Sequence, residues 1–341
     1  MSTTTQAVRA DGGSPMLTGR RKRTSSGFGL RGMTWLVWRQ HRMAFLLLLG
    51  VAAATTAGLA WLAQEASSAV AAVKVPNPSP AATTALNEAY QLLDSAGLAL
   101  VGLPVIIGLF IGAPLFAGDL ETGTAKFVGV QSRSRWTWVA TKLGMAALFA
   151  AAAALSTGFA MKAMLTPLVN HMAVNANFTD AGAFDTTGPT AVAWAVLGVL
   201  TGAAAGLLAR RTLPAMVVTL GVLLAVKVGW ELVRLMFAPT VVKTTSGGRV
   251  GEDDAPEFPA NALEIDTSFV TGDGTLLGWS TCANATDRVA CLRGEGAVGW
   301  YREYLPFSHM EAMQWAASGA LAGLILLTAG VLVYGARRAL R

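Results

Sequence analysis

The sequence predicts an all-α polytopic membrane protein with about six transmembrane helices, both termini cytoplasmic and one long extracellular loop. Three observations predict it. Hydrophobic residues make up 53% of the chain and charged residues only 13%, about half the charged share of a soluble domain. Apolar runs long enough to cross a bilayer recur along the chain. The formal charge is +6, and its lysines and arginines gather in alternate connections between those runs, as a topology signal does. A nucleic-acid partner is not expected, because a basic footprint would sit on a folded polar domain.

Residues 1–32 are polar and basic, as in Arg20-Arg21-Lys22-Arg23, and read as a disordered cytoplasmic tail. A twin-arginine export signal fits less well. The next apolar run starts far downstream, has the length of a full span and lacks a small-residue cleavage site after it. Met33 is an alternative start.

The membrane domain, 33–235, holds five predicted spans: Met43–Ala63, Gly97–Ala117, Trp138–Ala160, Thr190–Ala209 and Leu213–Leu235. The extracellular loop follows over 236–312. Residues 313–341 supply the last span, Met313–Tyr334, and a basic cytoplasmic tail. In this arrangement the N-terminal tail, 118–137, Arg210-Arg211 and the C-terminus face the cytoplasm, whereas the short outer connections hold only Lys74 and Lys162. The expected location is the plasma membrane, multi-pass.

Gly198, Gly202 and Gly206 recur every fourth residue in the fourth span, as do Gly108/Gly112 and Gly319/Gly323 in the second and sixth. Small residues at this spacing let helix backbones approach closely in lipid, although 37 glycines also produce such pairs by chance. Pro104 is expected to kink its helix, and Pro214 to be tolerated in a first turn. Lys227 and Glu231 stand four apart on one helix face in the outer half of the fifth span. They read either as an outer-leaflet ion pair with Lys227 snorkelling to the interface, or as a substrate or gating site. Trp35, Trp38, Arg39 and Arg42 precede the first span and read as an interfacial helix, either transmitting motion or simply anchoring the chain.

The 236–312 loop, rich in Gly, Pro, Asn and Asp, is expected to be mostly irregular with short elements. Cys282 and Cys291 lie within it. On the oxidising face the expected state is a disulfide, with two free thiols as the alternative. No metal site is expected, because two cysteines with no nearby His leave a tetrahedral site half empty.

The segment after the second span carries Pro114, Asp119, Glu121, Gly123, Thr124, Phe127, Gln131, Ser132, Arg135, Trp136 and, beyond them, Lys142. Acids at the start of a short helix suit its dipole, and the aromatic and basic residues suit the headgroup zone. Physics alone reads a well-made intracellular loop. The segment also resembles the intracellular loop of type-2 ABC exporter permeases common in actinobacteria, whose motif these residues match in order. TWLVWRQHR at 34–42, FDTTGP at 184–189, LLARRTLPAM at 207–216 and the terminal WYREYLPFSHMEAMQWAA are similar to further blocks of that family. Where the family carries an Arg before its acid this chain has Gly118, which argues against a salt bridge at Asp119.

The resemblance implies a permease subunit with no catalytic residue and no cofactor of its own, ATP and Mg being bound by a separate nucleotide-binding ATPase subunit. A second permease copy or a homologous permease is the other implied partner, beside the lipid bilayer. The implied coupling element is Asp119–Val130, and the implied contact residues are Asp119, Glu121, Gly123, Thr124 and Phe127 within it and Gln131 and Arg135 just beyond it. The chain has no Gly-x-x-x-x-Gly-Lys-Ser/Thr phosphate loop, so ATP drive requires a partner. An intramembrane enzyme would need paired acids or a His-Glu-x-x-His helix at membrane depth. An ion-coupled transporter would favour inverted repeats and mid-membrane carboxylates. A non-transporting sensor or immunity protein on the same scaffold stays open, and nothing selects a substrate.

Overall fold

The computed structural model describes residues 32–73, 79–123, 135–169, 177–259 and 261–339. Among them, six helical segments are long and apolar enough to cross a membrane, and the chain is an integral membrane protein. The first is α1 (Met33–Ala72). Trp35–Arg42 is thus continuous with the first span, and no break sets it apart as an interfacial helix.

The second span is interrupted. It runs as α2 (Pro80–Val101), α3 (Leu103–Ile107), a π-helical turn over Gly108–Gly112 and α4 (Pro114–Glu121). Ser79 caps α2, its hydroxyl accepting from Ala82 N–H at 3.2 Å, and Pro80 occupies a first-turn position where a missing N–H is harmless. The break falls at Gly102, two residues before Pro104, as a ring that blocks the preceding turn demands. The third span is α5 (Arg135–Val169). A short helix α6 (Ala181–Phe184) then leads into the fourth span, α7 (Gly188–Ala209), and the fifth, α8 (Thr212–Val233), which ends in a 3-10 turn over Arg234–Phe237.

The fourth span is the hub. It is apolar on all sides and mostly buried, packed by α5, α8, the broken second span and the final helix. Its glycines face the break. A Cβ at Gly198 would lie 2.3 Å from the Pro104 carbonyl oxygen, one at Gly202 2.2 Å from that of Gly108, and one at Gly206 2.5 Å from that of Ala113. No side chain fits there, so the two backbones touch directly. Gly108 and Gly112 face the same seam, but Gly319 and Gly323 have nothing within 4 Å. The first and third spans pack through Phe45, Leu48 and Ala52 against Ala146, Ala150 and Ala153.

Between the fifth and sixth spans the chain forms a folded unit, in place of the mostly irregular loop that its composition predicts. β1 (Val241–Thr244), β2 (Ala262–Thr271), β3 (Leu276–Gly278) and β4 (Ala297–Pro306) make one antiparallel sheet in the order β1-β4-β2-β3. A short helix α9 (Arg288–Gly294) covers a core of Val250, Phe269, Leu292, Ala297 and Trp300. Cys282 and Cys291 are joined by a disulfide, Cα to Cα 6.0 Å, which ties α9 to the loop before it. The last helix, α10 (Met310–Ala339), completes the bundle.

The glycine seam can be tested by contrast. Gly202→Leu should destabilise the detergent-solubilised protein by about 3 kcal/mol or more, because the backbones must part. Gly319→Leu, facing open space, should leave the melting temperature within a degree or two of wild type. Scanning fluorimetry of both variants checks the contrast; equal effects would show that the seam is not a contact.

Candidate functional site

Both ends of the bundle are fastened by buried carboxylates. At the end where α1 begins and α4 ends, Asp119 sits on the α4 turn that leads into 124–134. It forms a buried ion pair with Lys142 of α5. Gln40 of α1 donates from Nε2 to Asp119 Oδ1 at 2.7 Å. Lys142 is fully buried. Its Nζ also donates to the Leu115 carbonyl at 2.9 Å and lies 5.0 Å from the Trp138 ring and 5.8 Å from that of Phe116. An ammonium in such surroundings survives only with a carboxylate, a carbonyl and aromatic faces around it. The salt bridge that Gly118 argued against does form, because the cation comes from the next span and not from the neighbouring residue.

Two residues on, Glu121 reaches a fourth helix. Thr212 donates to Glu121 Oε2 from its backbone N–H at 3.0 Å and its hydroxyl at 2.9 Å. Thr212 is the first residue of α8, so this carboxylate caps a helix N-terminus and meets its dipole. The short α4 helix is therefore tied to α1, α5 and α8 by two side chains. Gly123 follows with a φ of +73°, a conformation open to glycine. Arg135 opens α5 and is exposed. Thr124, Phe127 and Gln131 lie outside the described residues. Trp35 is largely exposed beneath Arg39, whose guanidinium lies 5.3 Å from its ring, and Trp38 stacks on Phe45 and packs at a tilt against Phe149. Arg42, one turn further along α1, is exposed.

At the opposite end the carboxylate is Asp185, in the FDTTGP segment. Lys227 Nζ lies 2.8 Å from Asp185 Oδ2, and Trp230 Nε1 donates to Asp185 Oδ1 at 2.9 Å. The Lys227 ammonium sits 3.7 Å from the centre of the Trp194 ring. Gln314 of α10 donates to the Phe184 carbonyl at 3.0 Å and to the Thr187 hydroxyl at 2.8 Å. This knot joins α6, α7, α8 and α10. The expected Lys227–Glu231 pair is not what forms: Lys227 turns inward to Asp185, and Glu231 pairs with Arg234 at 3.0 Å. A fixed carboxylate in a low-dielectric pocket outcompetes a solvated one on the same helix face. Nearby, outside the spans, burial pushes the Asp180 carboxyl above its usual range, with the Arg234 charge opposing.

Asp185, Trp194, Trp230, Gln314 and Gln40 carry no signal in the sequence that marks them as site residues. FDTTGP points to the right segment, but helical spacing reveals partners only on the same helix. Among the described residues no group of three or more His, Cys, Asp or Glu could hold a metal ion.

The Asp119–Lys142 pair sets a measurable expectation. Asp119→Leu or Lys142→Met alone should destabilise the protein by about 3–5 kcal/mol, because each strands a buried partner. Asp119→Leu combined with Lys142→Met should recover most of that loss. A double-mutant cycle on thermal unfolding reads the coupling, and simple additivity of the two single effects would show that the pair does not interact.

No curated protein and no solved structure matches the chain. The family model described as ABC-2 membrane transporter related matches residues 36–234, which takes in the five spans before the sheet, the glycine seam and both carboxylate clamps apart from Gln314. That match covers more than half of the 341 residues, and the chain belongs to the ABC-2 membrane transporter related family.

Proposed function

We propose that the chain is the membrane-spanning permease subunit of an ATP-driven exporter, moved by a separate nucleotide-binding subunit that carries the ATP and Mg. Family membership supports the transport half of this reading. The observation that carries the coupling half is the fastening of α4. Asp119 and Glu121 fix its last turn to α1, α5 and α8 immediately before the 124–134 stretch. A load delivered through that stretch to the end of α4 reaches three spans at once. Closure of the nucleotide-binding subunit then needs only to favour one arrangement of those spans to shift the inward–outward equilibrium.

In this reading Gly123, Thr124, Phe127, Gln131 and Arg135 meet the ATPase subunit. The arginine-rich end of the bundle faces the cytoplasm. The sheet unit lies outside the plasma membrane, where its Cys282–Cys291 bridge persists. A second copy of the chain or a homologous permease completes the translocation path.

Two measurements test it. Co-expression with candidate ATPase subunits and recovery in mild detergent should yield a complex whose ATP turnover depends on this chain; a chain that purifies alone across such detergents removes the permease reading. Glu121 is exposed, so Glu121→Lys should keep expression normal while permease-dependent ATPase stimulation falls by about five-fold or more. Unchanged stimulation removes the coupling role of this residue. Cysteine labelling of 124–134 from outside intact cells would invert the map.

A further inference from the structure

A cavity of about 300 Å3 opens between the end of the fourth span and the end of the last helix, lined by Leu207, Leu208, Arg210, Gly335 and Arg338. Its two cations come from different helices. Arg210 follows α7 in the left-handed region, φ 57°, where helices normally end on Gly or Asn. Its N–H bonds the Gly206 carbonyl at 3.0 Å, and its Nη2 donates to the Arg338 carbonyl at 3.1 Å. The same residue therefore closes one helix with its backbone and caps another with its side chain. Arg210 and Arg338 are both exposed. Among the described residues neither forms an ion pair, and Glu121, at the same end of the bundle, is already engaged by Thr212.

The rest of the lining is apolar. Leu207 is buried and Leu208 half exposed. Gly335 leaves the wall open, since a Cβ there would fall 3.3 Å from Leu207 Cβ. Val331, Gly335 and Arg338 are spaced four and three apart, so they share one face of α10. Val331 and Tyr334 are exposed. An apolar strip thus runs from the cavity toward the middle of the bundle, with Arg210 and Arg338 lining the cavity at its head, at the level where both spans end.

We propose that this cavity binds an anionic glycerophospholipid, with its phosphate on Arg210 and Arg338 and an acyl chain along Leu208, Val331 and Tyr334. Guanidinium is the side chain best matched to phosphate geometry, and basic pockets between spans take anionic headgroups. The site rests on the geometry of two helix ends and is independent of whether ATP drives the protein.

Native mass spectrometry of the full-length chain in detergent tests this, with phosphatidylglycerol, phosphatidylcholine and inorganic phosphate as separate probes. Phosphatidylglycerol should be retained about tenfold more tightly than phosphatidylcholine, and Arg210→Asn or Arg338→Gln should each weaken it about five-fold. Arg210→Asn keeps a residue that tolerates the left-handed cap, so its melting temperature in lipid-free detergent should fall by only about 2–4 °C, for the lost hydrogen bond to the Arg338 carbonyl. Arg338→Lys should restore part of the binding lost in Arg338→Gln, and Arg293→Gln, in the sheet unit, should change nothing. The proposal is overturned if both arginine variants bind phosphatidylglycerol as wild type does, if phosphatidylcholine binds equally well, or if inorganic phosphate displaces the lipid.

Discussion

Backbone contact between the fourth span and the broken second span governs the rest of this bundle. In lipid, helices gain nothing from hiding apolar surface, so association depends on close packing and on polar contacts between helices. Gly198, Gly202 and Gly206 bring the α7 backbone against the carbonyls of Pro104, Gly108 and Ala113. The π-helical turn at Gly108–Gly112 sits in that seam. Such turns insert an extra residue into a helix and rotate the turns beyond it. The helix beyond this one is α4, which presents Asp119 to Lys142 and Gln40, and Glu121 to Thr212. The seam fixes where the carboxylates stand, and the carboxylates fix the helix ends.

The two clamps share a design and differ in what they join. Asp119 ties the first three spans at one end; Asp185 and its neighbours Phe184 and Thr187 tie the last three at the other. Each pairs with a lysine set against a tryptophan ring, Lys142 fully buried and Lys227 partly so. A buried ion pair adds little net stability over a well-packed apolar pair, but a mispaired arrangement leaves an unmatched charge at a cost of several kcal/mol. Such pairs therefore select one register of the helices more strongly than they strengthen the bundle.

Much of this was legible in the residues. The six spans could be read from apolar runs, the glycine seam from four-residue spacing, the break near Pro104 from proline chemistry, and the disulfide from two cysteines in one connection. The motif drew attention to the Asp119–Glu121 segment and to Lys142 beyond it, though not to the ion pair that joins them. The sheet escaped notice because β2, ALEIDTSFVT, and β4, AVGWYREYLP, carry polar residues through their length and lie among turn-forming clusters. Their strand character depends on pairing with each other, with Ser268 opposite Tyr301 and Phe269 opposite Trp300.

The sequence by itself determined which segments are apolar, where their helices break, and which small residues allow backbones to touch, because these depend on composition and on spacing along a single helix. Tertiary structure alone decided that Lys227 turns to Asp185 rather than to Glu231, that Lys142 crosses to Asp119, and that Arg210 and Arg338 meet across a cavity. Charge pairing in a low-dielectric bundle is settled by distance in space, and partners 42 and 23 residues apart become neighbours only once the helices have packed.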